Sequence, residues 1–304
     1  MSPKIAVAIP CHNEEATIAK VIRDFKKAVP EATIYVFNNC SSDQSVALAQ
    51  AEGVAIHEVR RLGKGNVLRA IFDTVVADAV IVVDGDGTYS ADEARPLLRP
   101  VLEAQADMVV GDRLTRADQT SLIHLRRIGN RLIVAVINFI FGTTYRDILS
   151  GYRVLSRRFI ESVPLLTPGF ETETEMTLQA LEEGFEVVEI PVSYTSRPER
   201  SESKLRPFRD GWRIMMTVAM ILRDHHPLRL YGFVGAASFG AALLTVFVKW
   251  VAGTHEPVLS GLTAALIFIG LIALGMGLVL SAINTRLKEI KQIMRRHRSG
   301  HGHG

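Results

Sequence analysis

Two aspartates at the end of an apolar segment have the clearest chemistry in this sequence. Asp84 and Asp86 follow the segment Ala79–Val83 and are separated by one glycine. An apolar run that ends in Asp-Gly is typical of a buried strand followed by a turn. Carboxylate oxygens are the ligands that Mg²⁺ and Mn²⁺ prefer, and these ions often also bind substrate phosphates. The pair indicates a divalent cation beside a nucleotide diphosphate, with an ordinary turn as the alternative.

Strands and helices that alternate along the chain must position these carboxylates. Short apolar segments predict four strands, at residues 4–9, 33–37, 54–59 and 79–83. Helical spacing of apolar residues predicts three helices between them, at residues 18–29, 45–51 and 67–76. This alternation favours an α/β fold with a parallel, doubly wound sheet. Ligands of such sheets bind outside the carboxyl ends of the strands, so the polar segments 10–14, 38–43 and 84–88 are expected to converge.

Two common phosphate-binding motifs are missing from the sequence. Gly63-Lys64-Gly65 has neither the upstream glycine nor the following Ser or Thr of a P-loop, and no GxGxxG follows the first strand. A P-loop kinase and a Rossmann dehydrogenase are therefore disfavoured. Lys64 is a candidate phosphate contact, with a surface turn as the alternative. Cys11 and Cys40 lack the spacing of zinc ligands and are expected to be reduced thiols.

The apolar content is 48%, and two long apolar segments lie near the C-terminal end. Residues 228–251 and 258–283 are each long enough to cross a bilayer core of about 30 Å as a helix. Lysines and arginines flank the pair of segments, whereas the link AGTHEP contains none. Because such residues mark the cytoplasmic side, we expect a transmembrane hairpin with the catalytic domain and both termini in the cytoplasm. A buried hairpin of a soluble protein is the alternative.

Two amphipathic segments carry arginines beside an apolar stripe, one at 122–136 and one at 208–222. Both are typical of helices that lie on a membrane surface, although packing against the domain core explains either one alone. We therefore divide the chain into a cytosolic domain, a juxtamembrane amphipathic helix, and two transmembrane helices with a basic cytosolic tail. The predicted bounds are 1–206, 207–226 and 227–304.

Six short motifs follow one another in a characteristic order. They are IPCHNEE at 9–15, NNCSSDQS at 38–45, DGDGT at 84–88, DILSGYR at 147–153, GFETETE at 169–175 and SESKLR at 201–206. In these motifs the chain resembles membrane-bound members of glycosyltransferase family 2, near dolichyl-phosphate mannose synthases and bacterial polyprenyl-phosphate (bactoprenol) glucosyltransferases. The resemblance covers nearly the whole chain. It implies a GT-A type, Rossmann-like nucleotide-sugar-binding domain.

The resemblance also implies roles for individual residues. It places the nucleotide sugar near Pro10, His12, Glu14, Asn39, Lys64, Asp84, Arg113, Arg197, Ser203 and Lys204. It places Mg²⁺ or Mn²⁺ on Asp84 and Asp86, and assigns catalytic roles to Asp86, Asp147 and Glu175.

Several of these assignments leave alternatives open, and for Arg197 and Lys204 the alternative is a solvated surface loop. Asp147 could orient the acceptor, act as a base, or cap backbone groups. In the alternating acidic run, Glu175 best matches the family's glutamate near the sugar and the acceptor, whereas for Glu171 and Glu173 a simple solvent-facing position is the alternative. Asn38 and Asn39 stand where many relatives carry an Asp, which leaves uridine and guanosine both open as the donor base.

The implied reaction is an inverting, metal-dependent transfer of a hexose-like sugar from a nucleotide diphosphate to a polyprenyl phosphate, undecaprenyl or dolichyl. No residue pattern marks an activated enzymic nucleophile, so no covalent sugar intermediate is expected. A transferase acting on another membrane lipid and a non-catalytic membrane adaptor are the alternatives. No nucleic-acid partner is expected. Gly270, Gly275 and Gly277 permit close helix contact, either within the hairpin or between copies in a homo-oligomer.

Overall fold

A computed structural model gives the fold of the chain. It describes residues 2–115, 131, 134, 135, 137–139, 141–169, 171–195, 212, 215, 216, 218–220, 222–224, 226–253 and 256–299, with side chains as far as 286. Two compact units divide the chain, residues 1–218 and 219–304. The division falls inside the predicted juxtamembrane segment 207–226.

The first unit is built on a seven-stranded sheet with the order β3-β2-β1-β4-β6-β5-β7. Its strands are β1 (Ile5–Cys11), β2 (Thr33–Asn38), β3 (Ala55–Glu58), β4 (Ala79–Val82), β5 (Met108–Asp112), β6 (Arg153–Ser156) and β7 (Val187–Pro191). The four strands predicted from sequence are present as β1 to β4, and they pair in parallel. The predicted α/β fold is confirmed.

Helices cover both faces of this sheet. They are α1 (Ile18–Ala28), α2 (Ser45–Ala51), α3 (Lys64–Thr74), α4 (Ala94–Leu102), α5 (Arg157–Ser162) and α6 (Thr172–Glu183). Alternate residues of β1 point to opposite faces, as the pleat of a strand requires. Val7 packs with α1 and α4, whereas Ala8 packs with α3, α5 and α6. The three helices predicted from sequence are α1, α2 and α3.

The sheet is mixed, which corrects the expectation that it is parallel throughout. Strand β6 runs antiparallel to both of its neighbours, β4 and β5, while β5 and β7 pair in parallel. A strand that returns antiparallel needs no crossover helix, so the helix–strand alternation that predicted β1 to β4 gives no signal for β6. The reversal carries the DILSGYR motif, which ends at Arg153 in β6, back to the edge where β4 ends.

The second unit contains two long helices that pack against each other, α7 (Pro227–Ala252) and α8 (Pro257–Ser299). Residues Pro227–Ala252 and Pro257–Arg286 are long and apolar enough to cross a membrane, with mean hydropathies of 1.8 and 2.6. Most of their large apolar side chains are exposed, including Phe247, Trp250 and Phe268. This exposure distinguishes the pair from core helices of a soluble protein, whose apolar faces are buried.

Polar and small residues join the two helices of this hairpin. The Thr245 and Thr263 hydroxyls are 2.7 Å apart, and Lys249 Nζ donates to Ser260 Oγ at 2.7 Å. Gly270 lies against the ring of Phe239, and Gly277 lies against Tyr231. Two of the three predicted close-contact glycines therefore face the partner helix within the chain, whereas a Cβ on Gly275 would meet open space.

Candidate active site

The three polar segments at the carboxyl edge of the sheet are joined by hydrogen bonds, as predicted. Ser42 N donates to Asn13 Oδ1 at 2.8 Å, which links the segments that follow β2 and β1. Thr17 Oγ1 donates to the carbonyl of Gly85 at 2.7 Å, which links the start of α1 to the segment after β4. These contacts place the motifs IPCHNEE, NNCSSDQS and DGDGT in one site.

Asn39 connects the end of β2 to the GKG turn. Its Nδ2 donates to the carbonyls of Val59 and Arg61, at 3.1 and 2.8 Å, and its Oδ1 accepts from Gly63 N at 2.8 Å. The side chain therefore fixes the loop that leads into α3. Because Lys64 is the first residue of α3, Asn39 also positions the lysine.

Lys64 lies between two carboxylates. Its Nζ is 2.5 Å from Asp84 Oδ1 and 2.7 Å from Glu173 Oε1. The exposed fractions of the side chains are 11% for Lys64, 25% for Asp84 and 5% for Glu173. Burial disfavours the ammonium, but the two carboxylates outweigh it and raise the pKa of Lys64 above its ordinary value. Lys64 therefore stays charged across the physiological range.

Gly151 of the DILSGYR motif closes one side of this cluster. A Cβ at this position would lie 2.4 Å from Asp84 Oδ2 and 2.8 Å from Lys64 Nζ, so a side chain here would displace the Asp84–Lys64 pair. The amide of Gly151 donates to the Tyr89 hydroxyl at 3.0 Å. Burial raises the pKa of Tyr89 and keeps the hydroxyl neutral. The tyrosine after DGDGT thus holds the DILSGYR backbone against Asp84.

Asp86 is buried, and its carboxylate contacts its own turn. Oδ1 accepts from the amide of Thr88 at 3.1 Å and from its hydroxyl at 2.6 Å. These bonds fix the orientation of the carboxylate one glycine beyond Asp84. Among the residues that the structure describes, no group of three or more His, Cys, Asp or Glu side chains has a metal-binding arrangement. Metal binding by the pair Asp84 and Asp86 therefore stays a prediction.

Arg113 and Asp147 form a second ion pair, after β5. Arg113 donates to both carboxylate oxygens, from Nε at 2.7 Å and from Nη2 at 2.9 Å, and its amide adds a bond of 3.2 Å. The Asp147 side chain is completely buried. Glu189 Oε1 accepts from the amide of Asp147 at 2.8 Å, and the guanidinium of Arg113 lies 5.5 Å from the ring centroid of Tyr194. Asp147 is held rigidly by Arg113.

Arg153 is buried in β6 and organises the loop before it. Its guanidinium donates to the carbonyls of Ile148 and Ser150, at 2.6 and 3.0 Å, and to Thr177 Oγ1 of α6 at 2.9 Å. Burial lowers the pKa of Arg153 to about 10, so the group remains charged at neutral pH. The residue ties the DILSGYR loop to the helix that carries Glu173.

The acidic run at the start of α6 is buried, which corrects the solvent-facing alternative for Glu171 and Glu173. Glu171 accepts from the amide of Gly169 at 3.2 Å, and Glu173 contacts Lys64. Glu175 accepts from the amides of Leu166 and Thr167, at 2.8 and 2.9 Å, and from the Thr167 hydroxyl at 2.6 Å. The structure thus brings Glu173 to Asp84, and Glu175 to the loop before α6; a catalytic role for Glu175 stays a prediction.

The first predicted nucleotide-binding residues lie at the end of β1 and beyond it. Pro10 is half-buried in β1, His12 is half-buried, and Glu14 is buried with its amide donating to Ser45 Oγ at 2.7 Å. Arg197, Ser203 and Lys204 lie outside the described residues, as do most of segment 122–136 and half of segment 207–226.

Sequence reasoning missed Glu173, Tyr89, Gly151 and Arg153 as members of the site. Their neighbours in the sequence gave a signal, since Tyr89 follows DGDGT directly and Gly151 and Arg153 belong to DILSGYR. For Glu173 the sequence offered three equivalent glutamates at alternate positions, and only the packing of α6 distinguishes them.

Comparison with known proteins assigns the chain to the same family that the six sequence motifs indicate. The sequence model of the Glycosyl transferase family 2 matches residues 6–163, just over half of the chain. The chain belongs to this family. It is a glycosyltransferase with a GT-A-like fold, and the fold class and enzyme class inferred from sequence are confirmed.

Two relatives and one solved structure illustrate the likeness. Glycosyltransferase AglJ of Haloferax volcanii is 34% identical over 298 residues, which are 95% of this chain and 98% of AglJ. Polyprenol monophosphomannose synthase of Mycolicibacterium smegmatis is 27% identical over 205 residues, 63% of this chain and 77% of that protein. Glucosyl-3-phosphoglycerate synthase of Mycobacterium tuberculosis, solved with Mn²⁺, UDP-glucose and phosphoglyceric acid, superposes with a TM-score of 0.59. It is 20% identical and covers 72% of this chain and 80% of that chain, a likeness that shows the fold alone.

Proposed function

We propose that this family 2 glycosyltransferase transfers a hexose-like sugar from a nucleotide diphosphate to a polyprenyl phosphate at the cytoplasmic face of a membrane. The reaction proceeds with inversion at the anomeric carbon and uses Mg²⁺ or Mn²⁺. The proposal rests on one observation: the chain that carries the partly exposed Asp84 carboxylate beside Lys64 also has two apolar helices long enough to cross a bilayer.

The donor set of the site fits a hard divalent cation. Asp84 and Asp86 offer carboxylate oxygens where the segment after β4 begins, and the Asp84 side chain is 25% exposed. Two protein carboxylates suit an ion that keeps further positions for substrate phosphates. Such an ion would offset the negative charge that develops on the departing diphosphate.

The chain's own cations support the same step. Lys64 and Arg113 are charged and only partly exposed, at 11% and 17% of their side-chain surfaces, so their fields are less screened than those of surface residues. Preorganised charges of this kind stabilise a developing anion without rearrangement. In this proposal both groups face the diphosphate and the acceptor phosphate. Arg197, Ser203 and Lys204 complete the phosphate contacts.

The acceptor phosphate is already an anionic nucleophile at neutral pH, so the proposed reaction requires no strong base. The contacts of Asp147 support a positioning role, because both of its oxygens accept from Arg113 and its side chain is buried. In this proposal Asp147 orients Arg113 and removes no proton.

A lipid acceptor agrees with the two apolar helices of the second unit and with the activity named for one of the relatives. A long isoprenoid is costly to remove from the bilayer, so a catalytic domain anchored to the membrane meets it there. The M. smegmatis relative is a polyprenol monophosphomannose synthase. We propose that residues 1–206 form the catalytic domain, that 207–226 lie on the membrane surface, and that 227–304 form the membrane part. The lysines and arginines that flank the helices support the proposal that the catalytic domain and both termini are cytoplasmic.

The decisive experiment measures transfer of radiolabelled sugar into the lipid phase by purified protein. The assay supplies a panel of UDP- and GDP-sugars, Mg²⁺ or Mn²⁺, and undecaprenyl or dolichyl phosphate. We expect one donor to label a lipid that mild acid hydrolyses, as expected of a polyprenyl-phosphate sugar. Label in an acid-stable lipid would overturn the acceptor assignment in favour of another membrane lipid.

Asp86→Ala provides the variant that tests the metal assignment. We expect it to abolish transfer while membrane insertion and expression remain unchanged. The matched control is Asp24→Ala, which removes an exposed aspartate of α1 that pairs with Lys20. Full transfer by Asp86→Ala would refute the role of Asp86 at the metal.

A further inference from the structure

Lys64 contacts the same carboxylate, that of Asp84, to which we assign the metal. Its ammonium contacts Asp84 Oδ1 at 2.5 Å, and Asp84 Oδ2 faces the backbone of Gly151 closely enough that a Cβ there would lie 2.4 Å away. Both oxygens of the carboxylate are therefore in contact with the protein. A cation that binds Asp84 must share it with a positive charge already in place.

Glu173 keeps that positive charge in the site. It contacts Lys64 at 2.7 Å, and its side chain is 5% exposed. Lys64 can therefore move away from Asp84 without losing a carboxylate partner. An exposed lysine would turn toward water instead, as the Lys20 side chain can, since 76% of its surface is exposed.

We propose that Lys64 makes the binding of a divalent cation at Asp84 depend on the nucleotide. Two cations on one carboxylate repel each other, and the repulsion is strong where burial limits screening. The diphosphate of a nucleotide brings negative charge that attracts both cations and removes the repulsion. Metal and nucleotide consequently bind cooperatively, and Glu173 holds Lys64 where it can meet the diphosphate. This inference rests on the proposed assignment of the metal to Asp84 and Asp86.

The test is a titration of Mn²⁺ followed by the electron paramagnetic resonance signal of the free ion, on the purified full chain. Affinity is measured with Mn²⁺ alone, then with UDP and with GDP, and no acceptor lipid is present. Lys64→Met removes the charge and keeps a side chain of similar length. We expect it to bind Mn²⁺ alone about fivefold or more tightly than the unchanged protein, and to respond less to nucleotide.

Glu173→Gln provides a second variant with the opposite sign. It removes one negative charge, so that Lys64 pairs more strongly with Asp84. We therefore expect Mn²⁺ alone to bind more weakly. Structural damage would weaken binding in both variants, whereas the proposal requires one variant to gain affinity and the other to lose it. Lys20→Met is the matched control, because it removes a lysine from an exposed ion pair of the same 2.5 Å length.

Three results would overturn the proposal. The first is a folded Lys64→Met protein that binds Mn²⁺ alone no more tightly than the unchanged chain. The second result applies if circular dichroism shows that Lys64→Met does not fold. It is a Glu173→Gln protein that binds Mn²⁺ alone as tightly as the unchanged chain, or more tightly. The third is an unchanged protein that binds no Mn²⁺ with either nucleotide, which also removes the metal from the proposed function. Cooperative Mn²⁺ and nucleotide binding without lipid labelling would instead refute only the proposed acceptor.

Discussion

Two ion pairs of the first unit are similar in composition and differ in construction. Lys64 touches Asp84 through one oxygen, shares its charge with Glu173, and leaves the Asp84 side chain 25% exposed. Arg113 binds both oxygens of Asp147, adds a backbone bond, and leaves that side chain completely buried. A bidentate guanidinium fixes geometry, whereas an ammonium with two carboxylate partners can exchange between them.

The difference indicates a division of tasks within one site. In the proposed function Asp84 accepts a metal, which requires that the carboxylate be reachable and that Lys64 be able to leave it. A carboxylate that orients a cation gains from rigidity, as at Asp147. Substitution of Asp147 should therefore lower stability most, whereas substitution of Asp84 should lower sugar transfer most.

The largest expected effect is on stability, from Asp147→Asn. The substitution leaves Arg113 buried with its counter-charge removed, and breaking a buried pair in this way costs about 3–5 kcal/mol. We expect the midpoint of thermal unfolding in detergent to fall by about 6 °C or more. Asp24→Asn, at the exposed pair with Lys20, is the control and should cost less than about 1 kcal/mol. Equal midpoints for the two variants would mean that the buried pair is not a fixed structural element.

Asp84→Asn should affect transfer and leave the fold almost unchanged. Lys64 keeps Glu173 as a charged partner, so the expected stability loss is about 1–2 kcal/mol, below that of Asp147→Asn. Sugar transfer should fall about 100-fold or more, because the substitution removes a carboxylate that we propose as a metal ligand. Initial rates with labelled donor and thermal midpoints of the same preparation measure both effects. A loss of stability as large as that of Asp147→Asn would erase the distinction between the two pairs.

Glu175→Gln tests whether a third buried carboxylate contributes to stability, as Asp147 does, more than to transfer. Within the described part of the chain, its carboxylate accepts hydrogen bonds from the loop residues Leu166 and Thr167 and from Gln179. We expect a stability loss of about 1–3 kcal/mol from the weakened bonds to the loop. Transfer below the unfolding temperature should stay within about tenfold of the unchanged protein. A far larger loss of transfer at an unaltered midpoint would support the catalytic role that the family resemblance implies.

The smallest effect concerns Glu189, which accepts from the backbone of Asp147. Burial, and then the charges of Asp112 and Asp147, raise the pKa of Glu189 above its ordinary value of 4.5, against the opposing backbone bonds. Between the ordinary and the raised pKa the folded state binds more protons than the unfolded state. The contribution of Glu189 to stability is therefore lost as pH rises through this window.

Glu189→Gln removes that titration, and thermal midpoints measured from about pH 4 to pH 7 would reveal it. The midpoint of the unchanged protein should fall with rising pH relative to that of the variant. A constant difference between the two proteins over this range would show that Glu189 titrates in its ordinary range.

Much of the fold was predictable because it rests on local patterns. Apolar periodicity predicted β1 to β4 and α1 to α3, and two uninterrupted apolar segments predicted α7 and the apolar part of α8. The start of α3 was placed three residues late, because glycines at 63 and 65 weaken the helical pattern. Strand β6 was missed because it includes a buried arginine, which breaks the apolar pattern of a central strand.

The candidate site also combines residues that the sequence predicts with contacts that only the structure shows. Asp84, Asp86 and Lys64 were predicted from a strand end and a glycine-rich turn that are visible in the sequence, and Arg113 from the family resemblance. The choice of Glu173 over its neighbours depends on which side of α6 faces Lys64. The pairing of Arg113 with Asp147 joins the end of β5 to the loop before β6, and no local pattern indicates such a contact.

The sequence by itself determined the alternation of strands and helices, the aspartate pair after β4, the family motifs and the two apolar segments. These features depend on the spacing and polarity of neighbouring residues, which can be read without coordinates. The tertiary structure alone decided the antiparallel direction of β6, the burial of Arg153 and the carboxylates that hold Lys64 and Arg113. Each of these depends on residues far apart in the chain, whose distances and exposure are set only when the helices pack on the sheet.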